Sequence, residues 1–178
     1  MKQHRCDRQA VGLVLALPAL LLFGSSGSRS AEDDLIAELE FLRPFVGTWT
    51  GEFQDATERP AILRSWTPIL AGHAIGETRT VSEAGFEAES IYYYDREAGV
   101  VSYLGMTNNG YVSRGQIALE GDVFTQTGEQ TPPNASAYSI RVTFRLTEEG
   151  TIVNQLYNLE AGEWQIGHSV IYTRGGGT

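Results

Sequence analysis

The chain contains few side chains that could carry out chemistry, and His168 is the first candidate among them. It stands within an alternation of apolar residues, where a neutral imidazole could bind iron or exchange a proton near neutral pH. An imidazole in such a position is also common as a hydrogen-bonded core residue. The sequence favours that interpretation because a lone histidine is a weak metal signal. His168 is therefore a candidate ligand-binding residue and a candidate iron ligand, with a hydrogen-bonded core histidine as the alternative.

Glu77 and Arg79 form a second candidate pair, since they alternate with Ile75 and Val81 and must share one face of an extended segment. If that face points inward, the two charges could orient a polar group of a ligand. If it points outward, they form an exposed pair that contributes little to stability. The sequence leaves both orientations open, and we prefer the outward one.

Tyrosine side chains suit the wall of a cavity for amphipathic molecules, because each combines an apolar ring with a polar tip. Tyr92 and Tyr94 share one face of an extended segment. Arg114 could contact a carboxylate ligand or lie in solvent. The predicted lining of a ligand cavity consists of His168, Tyr92, Tyr94, Glu77, Arg79, Arg114 and Trp66.

Ten segments that alternate apolar and polar residues must position these side chains. They cover residues 46–54, 61–70, 74–82, 86–95, 99–106, 111–120, 122–130, 137–147, 150–159 and 163–174. Turn residues separate them, of which Asn109-Gly110 is the strongest hairpin signal. Short strands without crossover helices predict an antiparallel meander, and closing the meander removes its two unpaired edges. We therefore predict an all-β fold, a closed up-and-down barrel of about ten strands with a cavity. A two-sheet sandwich is the main alternative.

One short helix is predicted before the first strand. Asp33 and Asp34 suit a helix start, Leu35, Ile36, Leu39 and Leu42 recur at helical spacing, and Pro44 ends the run. These are the residues that would cap one end of the barrel.

A Gly-x-Trp pattern follows this helix directly, at Gly47 and Trp49, and Arg174 stands near the end of the last strand. This arrangement resembles that of the calycins, the lipocalin-like barrels. The resemblance implies that Arg174 packs over the ring of Trp49 and bonds to backbone carbonyls at the closed end. A cation over an indole and five N–H donors make that contact favourable. The implied role of Gly47, Trp49 and Arg174 is structural.

Further short motifs resemble an uncharacterised bacterial calycin-like family, domain of unknown function 1579. They are residues 46–51, Ile69-Leu70-Ala71-Gly72, Tyr93-Tyr94-Asp95, Gly162-Glu163-Trp164 and Tyr172-Thr173-Arg174. This family has no established activity, so the resemblance implies a fold. The pattern Gly47 to Gly51 is also similar to nitrobindin-like heme barrels. That similarity implies heme binding through His168, six residues before Arg174.

The first thirty residues have the composition of a secretory signal peptide. Basic residues at Lys2, Arg5 and Arg8 precede an apolar run over 10–23, and small residues follow. A run of this length is too short for a comfortable membrane span, so an N-terminal membrane anchor is only the alternative interpretation. We predict a signal peptide over 1–30, a barrel domain over 31–178, a secreted or periplasmic location, and no stable membrane anchor after cleavage.

Charge and cysteine content narrow the function further. Removal of residues 1–30 takes away four basic residues and one acidic residue, which leaves 9 basic and 21 acidic residues and a net charge of −12. Such a surface repels phosphate backbones, so nucleic acid is excluded as an expected partner. The one cysteine, Cys6, lies within the predicted leader, so the predicted domain has no disulfide.

No Gly-x-Ser-x-Gly elbow, His-Glu-x-x-His motif or phosphate loop occurs in the chain. The sequence therefore predicts a binding module whose cavity holds a small hydrophobic or amphipathic ligand. A packed structural or interaction domain without ligand is the first alternative, and a heme barrel using His168 is the second. An enzyme with His168 or Glu77 as its acid–base group is the third.

Overall fold

The computed structural model describes residues 34–54 and 60–175, so the predicted signal peptide lies outside the described residues. A 3₁₀ helix, Ala37–Phe45, precedes ten strands, and a 3₁₀ turn, Ser82–Ala84, follows the third strand. The strands are β1 (Gly47–Phe53), β2 (Ile62–Ile69), β3 (Ala74–Val81), β4 (Phe86–Asp95), β5 (Val100–Thr107), β6 (Val112–Glu120), β7 (Val123–Thr131), β8 (Tyr138–Leu146), β9 (Ile152–Glu160) and β10 (Glu163–Arg174). Among the described residues, no helix combines the length and apolar character needed to cross a membrane.

The ten strands form one closed antiparallel barrel, in which each strand pairs with its neighbours in the chain and β1 pairs with β10. The predicted closed up-and-down barrel is thus confirmed. Closure joins the first and last strands directly, since Trp49 is the register partner of Arg174 and Phe53 that of Val170. Every strand then has a partner on both sides, which removes the unpaired edges of an open meander.

The N-terminal helix is present, but it is wound as a 3₁₀ helix, and it includes Pro44 instead of ending before it. The winding matches the sequence, because Leu39, Leu42 and Phe45 are the buried residues of this segment and are spaced three apart. A 3₁₀ helix has three residues per turn, so this spacing places all three on one face. That face closes one end of the barrel.

The closed end is held by the contact that the Gly-x-Trp pattern implied. The guanidinium carbon of Arg174 lies 4.5 Å from the centre of the Trp49 ring. Arg174 Nη1 donates to the carbonyl of Val46 at 3.1 Å, and Nη2 donates to that of Pro44 at 2.9 Å. Trp49 Nε1 in turn donates to the carbonyl of Phe45 at 2.7 Å. The last strand is thereby tied to the helix and the first strand.

Aromatic side chains fill the barrel just above this closed end. The rings of Phe124 and Phe144 stack 4.6 Å apart. Phe45 meets Phe124 edge-on at 5.3 Å, and Trp66 meets Phe144 edge-on at 5.6 Å. We call this layer of Phe45, Trp66, Phe124 and Phe144 the aromatic floor. The barrel interior beyond it contains a cavity.

Candidate ligand cavity

A cavity of about 220 Å³ occupies the barrel interior above the aromatic floor. Its wall is mainly polar. The lining residues are Arg64, Glu77, Arg79, Phe86, Ser90, Tyr92, Tyr103, Ser113, Gln126, Gln130, Ile140, Val142, Asn154, Leu156 and His168. A polar wall inside a barrel of this size indicates a space for polar atoms of a ligand or for water.

A second, apolar pocket of about 340 Å³ lies at the end of the barrel opposite the 3₁₀ helix. Its wall includes Phe53, Ile62, Val81 and Val170, with Ala84 of the 3₁₀ turn at its rim. We call it the mouth pocket. Arg79, Phe86 and His168 line both the mouth pocket and the polar cavity. The two spaces therefore adjoin, and a molecule in the mouth pocket would reach the polar wall at these three residues.

A buried polar network stands on the cavity wall between β2, β3, β4 and β7. Arg64 Nε lies 3.0 Å from Glu77 Oε1. Glu77 Oε2 accepts a short hydrogen bond from the Tyr92 hydroxyl, and Gln126 Nε2 donates to that hydroxyl at 2.8 Å. The guanidinium of Arg64 also lies 4.9 Å from the ring centre of Tyr172. One oxygen of Glu77 thus accepts a hydrogen bond and the other lies beside a cation, which reduces the cost of burying the carboxylate.

The network also sets the protonation of its members. Burial, reinforced by the negative charge of Glu77, raises the pKa of Tyr92 well above its ordinary value, so Tyr92 stays a neutral donor. Burial alone would lower the pKa of Arg64, but the charge of Glu77 is the chief influence that raises it overall. Arg64 therefore remains a cation inside the barrel.

Arg79 lies beside Arg64, because the two are direct register partners across β2 and β3. Both side chains face the cavity. Burial, followed by the positive charge of Arg64, lowers the pKa of Arg79. Its guanidinium lies 5.2 Å from the ring centre of Phe86 at the boundary with the mouth pocket. Two guanidinium groups thus stand side by side with one carboxylate near them.

Among the described residues, four polar atoms of the cavity wall are buried and have no hydrogen-bond partner: Arg64 Nε, Arg64 Nη1, Arg79 Nε and the Tyr103 hydroxyl. Arg64 Nε is close enough to Glu77 for an ion pair but lacks a hydrogen bond, so the pair is attractive without being well aligned. Burial also raises the pKa of Tyr103 to about 12. Buried donors of this kind ordinarily find an acceptor, and all of them belong to side chains that line the cavity.

Four of the predicted lining residues come together in this cavity: Glu77, Arg79, Tyr92 and His168. The preferred outward orientation of Glu77 and Arg79 was wrong, because their alternation with Ile75 and Val81 places all four side chains inside. His168 is half-buried, and its ring meets Phe53 edge-on at 5.5 Å.

The other three predicted lining residues lie elsewhere. Trp66 is part of the aromatic floor beneath the cavity. Tyr94 packs against the core cluster without lining the cavity. Arg114 is exposed on the outer face of β6, since its neighbours Ser113 and Gly115 take the inward positions of the alternation.

Arg64 and Tyr103 are cavity residues that the sequence analysis missed. The signal for Arg64 was its position two residues from both Ile62 and Trp66, so that all three alternate on one face. An arginine between two large apolar residues of one strand face predicts a buried charge. Tyr103 gave no comparable signal, because tyrosine is common on either face of a strand.

Metal binding finds little support in these side chains. Within residues 34–54 and 60–175, no three or more His, Cys, Asp or Glu side chains cluster in a way that could hold a metal ion. Heme iron needs one axial nitrogen only, so His168 stays a predicted axial ligand. Its place beside apolar Phe53 and Phe86 fits a flat apolar group.

An apolar groove of about 340 Å³ also lies on the outer wall. Its apolar lining comes from strands β2 to β5 and includes Ile69, Ile91, Leu104 and Met106. Gly76 forms part of its base, where the lack of a side chain deepens the groove.

No family model matches the chain, and no curated protein matches it either. Among solved structures, the barrel is similar to the crystal structure of Rv2717c from M. tuberculosis, with a TM-score of 0.54 and 13% sequence identity. The match covers 80% of this chain and 99% of that one. This likeness establishes a shared barrel fold. The similarities to domain of unknown function 1579 and to nitrobindin-like barrels remain resemblances carried by short motifs.

Proposed function

We propose that this protein is an exported barrel that binds a small amphipathic molecule in its interior. One observation carries the proposal: the apolar mouth pocket adjoins a polar cavity, and Arg79, Phe86 and His168 form the boundary. Ligand sites typically combine apolar walls with a few polar groups that fix orientation. An amphipathic molecule would place its apolar part at the mouth and its polar part above the aromatic floor.

The interior supports this proposal over a fully packed domain. A barrel without ligand gains most from a densely filled core. This barrel instead leaves about 220 Å³ open beside buried, unpartnered donors. Partly satisfied polar groups in a core cost free energy unless something else binds to them.

A native mass spectrum of the protein from its exported fraction tests the proposal. We expect a polypeptide that begins at Ala31 and carries a stoichiometric added mass. A bare polypeptide mass, together with failure to bind any amphipathic molecule in solution, would favour the structural alternative.

A titration with the neutral apolar dye N-phenyl-1-naphthylamine locates the site. Ala84→Trp narrows the mouth pocket and should weaken dye binding. Ala98→Trp, in the exposed turn between β4 and β5 at the other end of the barrel, is the matched control and should leave it unchanged. Equal binding by both variants would place the dye outside the mouth pocket.

Heme binding is a second candidate, favoured by the position of His168 on the wall of the apolar mouth pocket. His168 would supply the axial nitrogen, and bound heme would supply redox or gas-binding chemistry. Hemin titration of the protein and of His168→Ala tests it. An identical Soret response from the two proteins would remove His168 from that role.

A further inference from the structure

The charge on the cavity wall is unusual for this chain. The whole sequence has a net charge of −9, yet two of its 13 basic residues, Arg64 and Arg79, face one small cavity. Glu77 is the one carboxylate among the described residues that line it, and His168 is the one histidine among them. With His168 neutral, the described wall has a net charge of +1.

The register makes this positive charge costly. Arg64 and Arg79 are directly opposed across β2 and β3. Like charges in directly opposed positions destabilise a sheet, and burial strengthens the repulsion. Glu77 offsets one of the two charges through its 3.0 Å approach to Arg64. Arg79 contacts the ring of Phe86 instead, and a negative charge beside it would remove the repulsion.

The unpartnered atoms define what that negative charge should be. Arg64 Nη1 and Arg79 Nε can only donate, and the Tyr103 hydroxyl can donate as well. A carboxylate has two oxygens and no donor, and its plane suits guanidinium groups. One carboxylate would match both the single excess charge and the donors.

We propose that the ligand is an amphipathic monocarboxylic acid, with its carboxylate bound by Arg64, Arg79 and Tyr103 and its hydrocarbon part in the mouth pocket. This inference rests on the proposed function and names its ligand class. Arg79 is the specificity residue, because it lines both spaces, whereas Arg64 lines the polar cavity alone and is paired with Glu77.

Three ligands with the same chain and different heads test the inference on the unchanged protein. Decanoate, decan-1-ol and decylamine are titrated against bound N-phenyl-1-naphthylamine below their micelle concentrations. We expect decanoate to bind about tenfold or more tightly than decan-1-ol, because hydrogen bonds to a charged group are the strong ones. Decylamine should bind most weakly, since the cavity is already positive.

Variants then assign the selectivity to the cavity. Arg79→Gln should weaken decanoate about tenfold or more and leave decan-1-ol within about twofold. Tyr103→Phe should reduce decanoate affinity in the same direction but by less. Arg114→Gln is the matched control, because it removes the same charge from the outer face and should change neither affinity.

The outcomes separate the two proposals. If none of the three ligands displaces the dye, the proposed function fails and this inference fails with it. If decan-1-ol binds as tightly as decanoate, or Arg79→Gln weakens both equally, the barrel binds amphipathic molecules but not through a carboxylate. Should Arg79→Gln not fold, the comparison of the three heads on the unchanged protein decides.

Discussion

Arg64 and Glu77 form a buried ion pair inside the barrel, with Nε and Oε1 3.0 Å apart and only 2% and 5% of the two side chains exposed. Removing charges from water costs several kcal/mol per ion, and their mutual attraction recovers this only with additional partners. Glu77 has such a partner in Tyr92, and Arg64 lies against the aromatic rings of Trp66 and Tyr172. The ion pair is therefore stable only when both charges are present, and it holds the two side chains in place on the cavity wall.

Glu77→Gln should destabilise the protein strongly. Among the described residues of the wall, the substitution leaves Arg64 and Arg79 opposed without a carboxylate, and breaking a buried pair typically costs about 3–5 kcal/mol. Urea unfolding at neutral pH measures the loss. Glu87→Gln, on an exposed position of β4, is the control and should stay within about 0.5 kcal/mol of the unchanged protein. A loss of stability at Glu77 as small as that at Glu87 would show that the ion pair contributes nothing measurable to the free energy of unfolding.

Alkaline pH should destabilise the protein through Tyr103. Its pKa is raised to about 12 by burial, whereas an unfolded tyrosine titrates near 10. Between these values the folded state binds more protons than the unfolded state, so the free energy of unfolding falls as pH rises. Between about pH 10 and pH 12, ionisation of this tyrosine in the unfolded state but not in the folded state should lower the free energy of unfolding by about 2 kcal/mol.

The stability of Tyr103→Phe against pH checks this directly. The variant should lose less stability than the unchanged protein between about pH 10 and pH 12. Tyr93→Phe, on the outer face of β4, should follow the unchanged protein, which separates Tyr103 from general alkaline unfolding. Parallel curves for all three proteins would contradict the burial of the Tyr103 phenol.

The sequence predicted the barrel well because alternation and turn chemistry act locally. Each of the ten predicted strands matches an observed one to within about two residues, and closure followed from the cost of unpaired edges. The winding of the N-terminal helix was missed, since apolar residues spaced three apart fit an α-helix and a 3₁₀ helix alike.

The cavity could be predicted only in part. Alternation shows that Glu77 and Arg79 share a face with Ile75 and Val81, but which face enters the barrel depends on pairing with β2. The general tendency of charges to lie outside suggested the wrong face. Burial of Arg64 and Glu77 becomes favourable only when the strands bring both together, and one strand alone does not contain that information.

Gly47 should tolerate no side chain. Its φ is +125°, and a Cβ atom there would lie 2.9 Å from Arg174 Nη1. The guanidinium of Arg174, which packs over the ring of Trp49, would therefore have to shift. Gly47→Ala should therefore lose about 2–4 kcal/mol from backbone strain and the displaced arginine together. Thermal unfolding of Gly47→Ala and Gly99→Ala makes a matched comparison.

Gly99 isolates the backbone effect, since its φ is +70° and a Cβ atom there would meet nothing within 4 Å. Gly99→Ala should lose about 1–2 kcal/mol from the left-handed conformation alone. The excess loss at Gly47 measures the Arg174 contact. Equal losses at the two positions would mean that the Arg174 side chain shifts without a measurable cost in stability.

The turn between β2 and β3 offers a stabilising substitution. Leu70 and Ala71 both have positive φ, +53° and +54°, and a hydrogen bond from the Gly72 amide to the Ile69 carbonyl closes the turn at 3.1 Å. These are the angles of a turn in which both central residues are left-handed, which favours Asn-Gly over Leu-Ala. A side chain in the left-handed region costs about 1–2 kcal/mol, and glycine avoids this cost.

Ala71→Gly should therefore raise the free energy of unfolding by about 0.5–1 kcal/mol, the strain relieved less the greater entropy of glycine in the unfolded chain. Ala118→Gly is the matched control, because Ala118 is exposed in the middle of β6 and outside the set of positive-φ residues. There the same change brings only the entropy cost and should destabilise by about 0.5–1 kcal/mol. Urea unfolding of the two variants should thus give shifts of opposite sign. A loss of stability at both positions would mean that the turn holds Ala71 without strain.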